Sequence, residues 1–194
     1  MKYTNPGTLI KADAFEVFAK AEPADFVFLD PPYEDIPLIR KIITEYVHQR
    51  WRLMKSNARN AMVCFMWLRD VPRVFQKFFT YPDNIVVWEK PYSTKNTSKD
   101  YSSFLEAICV WHGKYFNKDL HWANRTGIFV DRLIEKPVFE HKKPDTLVER
   151  LIKLHTPDGG TVLDLFAGTG TVKSVCDRCG FSSLSCDIAP KCAL

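Results

Sequence analysis

The chain has 194 residues, 46% hydrophobic and 26% charged, with a formal net charge of +4. That is enough apolar material for the core of one domain of roughly 100–200 residues, and too much for a disordered or collagen-like chain. The opening MKYTNPGTLIKADAF lacks the apolar run of a secretory signal, and the longest apolar run, Ala61 to Leu68, is eight residues, so no membrane or secreted protein is expected.

Short apolar runs predict buried strands at Thr8–Ile10, Phe26–Leu29, Ala61–Trp67, Ile85–Trp88, Glu106–Trp111, Thr161–Leu165 and Ser183–Asp187. Helical spacing of Ile36, Ile39, Ile43, Tyr46 and Val47 predicts a helix across 36–54, with shorter ones over Val71–Phe79, Asp145–Leu154 and Val172–Cys179. Thr146 and Glu149 have the spacing of a capping box for the third of these. Strands alternating with helices argue for one α/β sheet of about seven strands covered on both faces. The polar stretch 92–103, YSTKNTSKDYSS, reads as a mobile loop, and 113–140 as irregular and basic. Residues 1–194 read as a single domain.

The excess charge is concentrated. Residues 90–143 hold ten Lys or Arg against six Asp or Glu, and the remainder of the chain is balanced. Tyr92, Tyr101, Tyr115, Phe116 and Trp122 are interleaved with those cations, a mixture suited either to phosphates and stacked bases or to a solvated loop.

Two motifs carry chemistry. The strand Phe26–Leu29 runs into Asp30-Pro31-Pro32-Tyr33. Ligands of open α/β sheets sit beyond the carboxyl ends of strands, where Asp30 stands. The prolines fix the turn and remove two donors, which leaves acceptors and the flat face of Tyr33 for a planar group bearing an amine. The second motif is Thr161-Val-Leu-Asp-Leu-Phe-Ala-Gly-Thr-Gly-Thr171, a strand, a glycine turn and a helix start. Gly168 and Gly170 allow close approach of a ligand to backbone, and Asp187 closes the next strand, where an acid can hold ribose hydroxyls. No Gly-Lys-Ser/Thr follows, which excludes a phosphate-loop ATPase; a hydride-transfer dinucleotide site competes.

With both motifs in this order, about 130 residues apart and with His141-Lys-Lys-Pro144 between them, the chain resembles the DNA amino-methyltransferases that use S-adenosyl-L-methionine (AdoMet), of the circularly permuted β group. The resemblance covers most of the chain and is weakest in 92–140. It implies a Rossmann-like class I methyltransferase sheet, transfer to the N6 amino group of adenine in DNA, and extrusion of the base from the duplex. Asp30 would accept a hydrogen bond from the target amine and would also border the cofactor, a carbonyl around Pro31 and Pro32 would be a second acceptor, and Tyr33 would stack on the base. Asp164, Phe166, Ala167, Gly168, Thr169, Gly170 and Thr171 would line the methionine end of AdoMet, Asp187 its ribose, and Asp13 its adenine side. The family more often has Glu at the Asp187 position. Lys143 would face the cofactor carboxylate or would be an exposed lysine at a helix start. Lys95 and Lys99 in the 92–103 loop, with Arg125 and Lys136, would meet DNA phosphates.

The motif's opening Asp resembles N6-adenine enzymes; N4-cytosine members more often open it with Ser. About 27 residues between the last strand of that half and the Lys-Pro motif leave little room for a recognition domain. A loosely read target or a second subunit follows, and members of the group often form homodimers. Seven residues follow Asp187, where the family usually has a further helix, which suggests a minimal, phage-like enzyme. The expected setting is the cytoplasm of a bacterial or phage-infected cell, in restriction-modification. Alternatives are an N4-cytosine DNA enzyme, an RNA amino-methyltransferase, which would usually have the cofactor half first, and a silent AdoMet- or DNA-binding protein.

Other features point elsewhere. Cys176, Cys179, Cys186 and Cys192 invite zinc, but a helix end and the far end of the next strand lie at opposite edges of a sheet, so no metal is expected and the six cysteines read as reduced thiols. Cys64 and Cys109 read as strand core, and Trp67, Trp88 and Trp111 as packing at strand ends.

Overall fold

A computed structural model describes residues 7–53 (backbone only from 47), 60–76, 81–90, 105–130 and 142–189. The strands are β1 (Thr8–Lys11), β2 (Phe26–Leu29), β3 (Ala61–Trp67), β4 (Asn84–Glu89), β5 (Leu105–Trp111), β6 (Ile128–Val130), β7 (Thr161–Asp164) and β8 (Ser182–Asp187). The helices are α1 (Ala14–Lys20), α2 (Ile36–Leu53), α3 (Val71–Phe75), α4 (Asp145–His155) and α5 (Thr171–Cys179). One sheet results, in the order β1-β8-β7-β2-β3-β5-β4-β6. β5 runs antiparallel to both its neighbours and the other pairs are parallel.

Strand alternation divides the core into two layers, because successive side chains leave opposite faces of a strand. Val27, Leu29, Met62, Cys64 and Met66 meet α1, α2 and α3, chiefly through Val17, Ile39, Ile42, Ile43, Tyr46 and Val74. Phe26, Phe28, Ala61, Val63 and Phe65 meet α4 and α5 through Leu147, Val148, Leu151, Ile152, Val172 and Val175. Each fully buried aliphatic side chain contributes roughly 1.5–3 kcal/mol of transfer free energy.

All seven predicted strands form. An eighth, β6, lies in the stretch read as irregular; three residues pair with β4 in register Val87↔Ile128 to Glu89↔Val130. Helix α1 was also unforeseen. Asp13 caps it, its Oδ1 accepting from the N–H groups of Phe15 at 3.0 Å and Glu16 at 3.2 Å. The capping box does not form. Pro144 is the N-cap of α4 without a side-chain bond, and Glu149 instead pairs with Lys153 at 2.5 Å and Arg178 at 3.1 Å.

From β2 the chain passes through α2 to β3 on one side; from adjacent β7 it passes through α5 to β8 on the other. The two helices lie on opposite faces. The crevice between β2 and β7 is therefore the switch point of the sheet, where α/β folds hold ligands.

Candidate active site

Asp30 leaves β2 at that crevice. Pro31 is buried and Pro32 exposed. The Pro32 carbonyl is not left outward and unpaired as expected, but accepts from the Asp35 N–H at 3.3 Å. Asp35 then starts α2, its Oδ1 accepting from the Leu38 N–H at 2.9 Å. The turn is thus closed at both ends. Tyr33 is buried and stands edge-on to Trp67, with ring centroids 5.9 Å apart.

A buried network of charges surrounds Tyr33. Its hydroxyl lies 3.0 Å from Asp30 Oδ1 and 2.7 Å from Glu106 Oε2. Lys143 Nζ is 2.7 Å from Asp30 Oδ2 and 3.8 Å from Glu106 Oε2, and Lys90 Nζ is 2.7 Å from Glu106 Oε1. The Lys143 ammonium also faces the rings of Tyr33, Phe65 and Trp88 at 5.1–5.8 Å. Two carboxylates and two ammonium groups balance inside the protein, the arrangement that buried charges require. Burial pushes the Asp30 carboxyl up, against the pull of Lys143. Burial also acts on Glu106, but Lys143 and Lys90 outweigh it and hold its carboxyl below the usual range. Lys143, facing two carboxylates, is held in its charged form despite burial. Tyr33 stays a phenol, its ionisation opposed by burial and by both carboxylates.

Across the crevice, β7 ends at Asp164 and the glycine turn follows. Gly168 has φ 50° and Gly170 φ 76°, a left-handed conformation that glycine adopts without strain. The Gly168 N–H donates to Asp187 Oδ2 at 2.8 Å, tying the turn to the end of β8. Asp164 Oδ1 accepts from the Phe166 N–H at 3.2 Å, whereas Oδ2 is buried without a hydrogen-bond partner. Burial, helped by the nearby Asp30 and Asp187 charges, pushes this carboxyl up to about 8.

One cavity of about 470 Å³ joins the two motifs. It is lined by Asp30, Pro31, Pro32, Tyr33 and Lys143 on the β2 side, and by Asp13, Asp164, Phe166, Ala167, Gly168, Thr169, Thr171 and Asp187 on the side of β7, β8 and β1. Gly170 is not among the lining residues; it turns the chain into α5. The cavity fits a zwitterionic cofactor with a ribose: the orphaned Asp164 oxygen needs a cationic or N–H partner, and a Cβ added at Gly168 would meet open space.

Lys143 is not exposed at a helix start. It is buried and directed at Asp30. Arg125 is exposed on the short turn before β6 and does not line the cavity. Lys95, Lys99 and Lys136, like the 92–103 loop, lie outside the described residues. Glu106 and Lys90 escaped the sequence reading. The available signal was a lone acid opening an otherwise apolar strand, Glu-Ala-Ile-Cys-Val-Trp. Two of the ten cations in 90–143, Lys90 and Lys143, are buried in this network and do not face solvent.

Cys176 packs in the layer of α4 and α5, and Cys186 in the layer of α1 to α3, on opposite faces of the sheet. Among the described residues no group of three or more metal-ligating side chains gathers, and no helix is long and apolar enough to cross a membrane.

The sequence matches the family model for DNA methylases over residues 39–193. The type II methyltransferase M2.DpnII of Streptococcus pneumoniae is 24% identical over 223 aligned positions, covering 91% of this chain and 82% of that protein. The solved M1.HpyAVI–SAM complex superposes with a TM-score of 0.66 at 20% identity, covering 94% of this chain and 92% of its own. PvuII DNA methyltransferase, cytosine-N4-specific, gives 0.68 at 14% identity, covering 97% and 84%. At these identities the solved structures establish the Rossmann-like α/β fold. The family model spans most of the chain, and the protein therefore belongs to the N6/N4 DNA methylase family, the AdoMet-dependent DNA amino-methyltransferases.

Proposed function

We propose that this chain transfers a methyl group from AdoMet to the N6 amino group of adenine in DNA, with the base extruded into the crevice between β2 and β7. The observation that carries the reading is the single cavity bounded by Asp30 and Tyr33 at one end and by unpartnered Asp164 at the other. Asp164 would hold the ammonium of the methionine end, with Phe166, Ala167, Gly168, Thr169 and Thr171 around it. Asp187 would hold the ribose. Each of its oxygens accepts one backbone N–H, from Gly168 and Ala189, and keeps a second lone pair. Asp13 would stand at the adenine side.

When bound, AdoMet supplies a methyl carbon made electrophilic by its sulfonium. Asp30 Oδ1 accepts a hydrogen bond from the target amine and turns the nitrogen lone pair toward the cofactor side of the cavity. Lys143 fixes Asp30 through Oδ2. The amine would bond to the methyl carbon, displacing the sulfonium as a neutral thioether, and would give its proton to solvent afterward, so Asp30 would act chiefly by orientation. Arg125, with Lys95, Lys99 and Lys136, would contact DNA phosphates. Adenine is favoured over cytosine by the Asp that opens the motif.

The test is labelled methyl transfer to unmethylated duplex DNA, followed by digestion and separation of nucleosides. N6-methyladenine is expected. N4-methylcytosine would keep the site and overturn the base, and transfer to RNA alone would overturn DNA as the substrate.

A further inference from the structure

The Tyr33 hydroxyl has one proton and two carboxylates within reach, Glu106 Oε2 at 2.7 Å and Asp30 Oδ1 at 3.0 Å. A phenol donates one hydrogen bond, so one of those oxygens is left without it. The shorter contact belongs to Glu106, whose other oxygen is fixed by Lys90 at 2.7 Å. Asp30 Oδ2 is already engaged by Lys143.

Glu106 is 4% exposed and opens a run of five buried apolar residues, Ala107 to Trp111. In register it lies beside Trp67 of β3 and Trp88 of β4, at the sheet edge from which Asp30 emerges. Packing does not account for a carboxylate there. An ion pair at such a site loses hydration that an apolar residue would not, and gains little stability in return.

We propose that Glu106 is a positioning residue for methyl transfer: it takes the Tyr33 proton and so leaves Asp30 Oδ1 open to accept from the target amine. The proposal rests on the transfer reading above. Without Glu106, the Tyr33 O–H turns to Asp30 Oδ1 and competes with the amine for the same oxygen. Removing the hydroxyl as well would then relieve that competition. Tyr33→Phe should therefore change turnover little while Glu106 is present and raise it once Glu106 is replaced, a dependence on position 106 that a packing role does not produce.

The experiment follows the Asp30 carboxyl titration by carbon-13 NMR in wild type, Tyr33→Phe, Glu106→Gln and the double variant, with Asp30→Asn identifying the signal. Labelled transfer to unmethylated DNA is measured in the same four proteins. Tyr33→Phe alone is expected to move the Asp30 titration by less than about 0.3 pH unit. Glu106→Gln is expected to lower it by about one pH unit, because losing a neighbouring negative charge and gaining the hydroxyl both favour the ionised form. Turnover should fall roughly tenfold in Glu106→Gln and recover in part in the double variant.

An upward move of about one pH unit in Tyr33→Phe alone would place the proton on Asp30 and overturn the proposal. Equal losses of turnover from Tyr33→Phe in both backgrounds would overturn it too. If Glu106→Gln does not fold, the Tyr33→Phe titration decides by itself. The titrations do not depend on transfer. A wild type that binds AdoMet but methylates no DNA would overturn the functional reading, and the location of the proton would still be decided.

Discussion

Replacing Asp164 by Asn tests whether this carboxyl is the orphaned anchor of the cofactor site. Asn keeps the shape and the Oδ acceptor for the Phe166 N–H while removing the charge. The folded carboxyl titrates at about 8, raised chiefly by burial, against about 3.9 in an unfolded chain. A raised folded value means that the unfolded chain holds fewer protons between those limits. This carboxyl's contribution to stability is thus greatest below pH 4 and is lost as pH rises toward 8. The slope is about 1.4 kcal/mol per pH unit, which integrates to about 3–4 kcal/mol between pH 5 and pH 8. Other groups titrate alike in both proteins, so this amount appears in the difference. Urea unfolding of the ligand-free proteins should show Asp164→Asn gaining about 3–4 kcal/mol on wild type across that range. If the AdoMet ammonium takes the place beside Asp164 proposed above, its binding should release about 0.9 proton at pH 7 in wild type and almost none in the variant, read by calorimetry in two buffers. A pH-independent stability difference, or binding without proton release, would refute the reasoning.

Three further outcomes are expected. Phe65→Ala removes a fully buried ring that packs against Phe28 at 5.1 Å and should lower stability by roughly 3–5 kcal/mol in urea unfolding. Gly160→Ala would place a Cβ 2.8 Å from the Pro157 carbonyl; it should cost about 1–3 kcal/mol while leaving methyl transfer intact at low temperature. Gly168→Ala, at φ 50°, should cost about 1–2 kcal/mol from strain and weaken AdoMet binding at least tenfold by dialysis, because the methyl group enters the cofactor end of the cavity.

What was legible in the sequence was local. Asp30-Pro-Pro-Tyr33 and the Gly168–Gly170 turn follow apolar strands directly, so their placement at the carboxyl ends of β2 and β7 required no long-range information. β6 was not legible, because Ile-Phe-Val is three residues long and becomes a strand only through pairing with β4. The capping box at Thr146 failed because Pro144 had already set the helix start, while Lys153 and Arg178 drew Glu149 away. Asp13 carried an unread cap signal, an acid followed three residues later by Glu16, and it lines the cavity as well. Glu106 was the largest omission. Its partners Tyr33, Lys90 and Lys143 come from three different segments, and only the register of β5 against β3 and β4 brings it to them.

The central claim is that Asp30 serves the transferred group while Asp164 serves the cofactor, in one cavity. Measuring AdoMet binding and labelled DNA methylation side by side in Asp30→Ala tests it most directly. The account predicts AdoMet affinity within about threefold of wild type and a turnover at least about a hundredfold lower. Retained methylation, or loss of AdoMet binding together with activity, would contradict it.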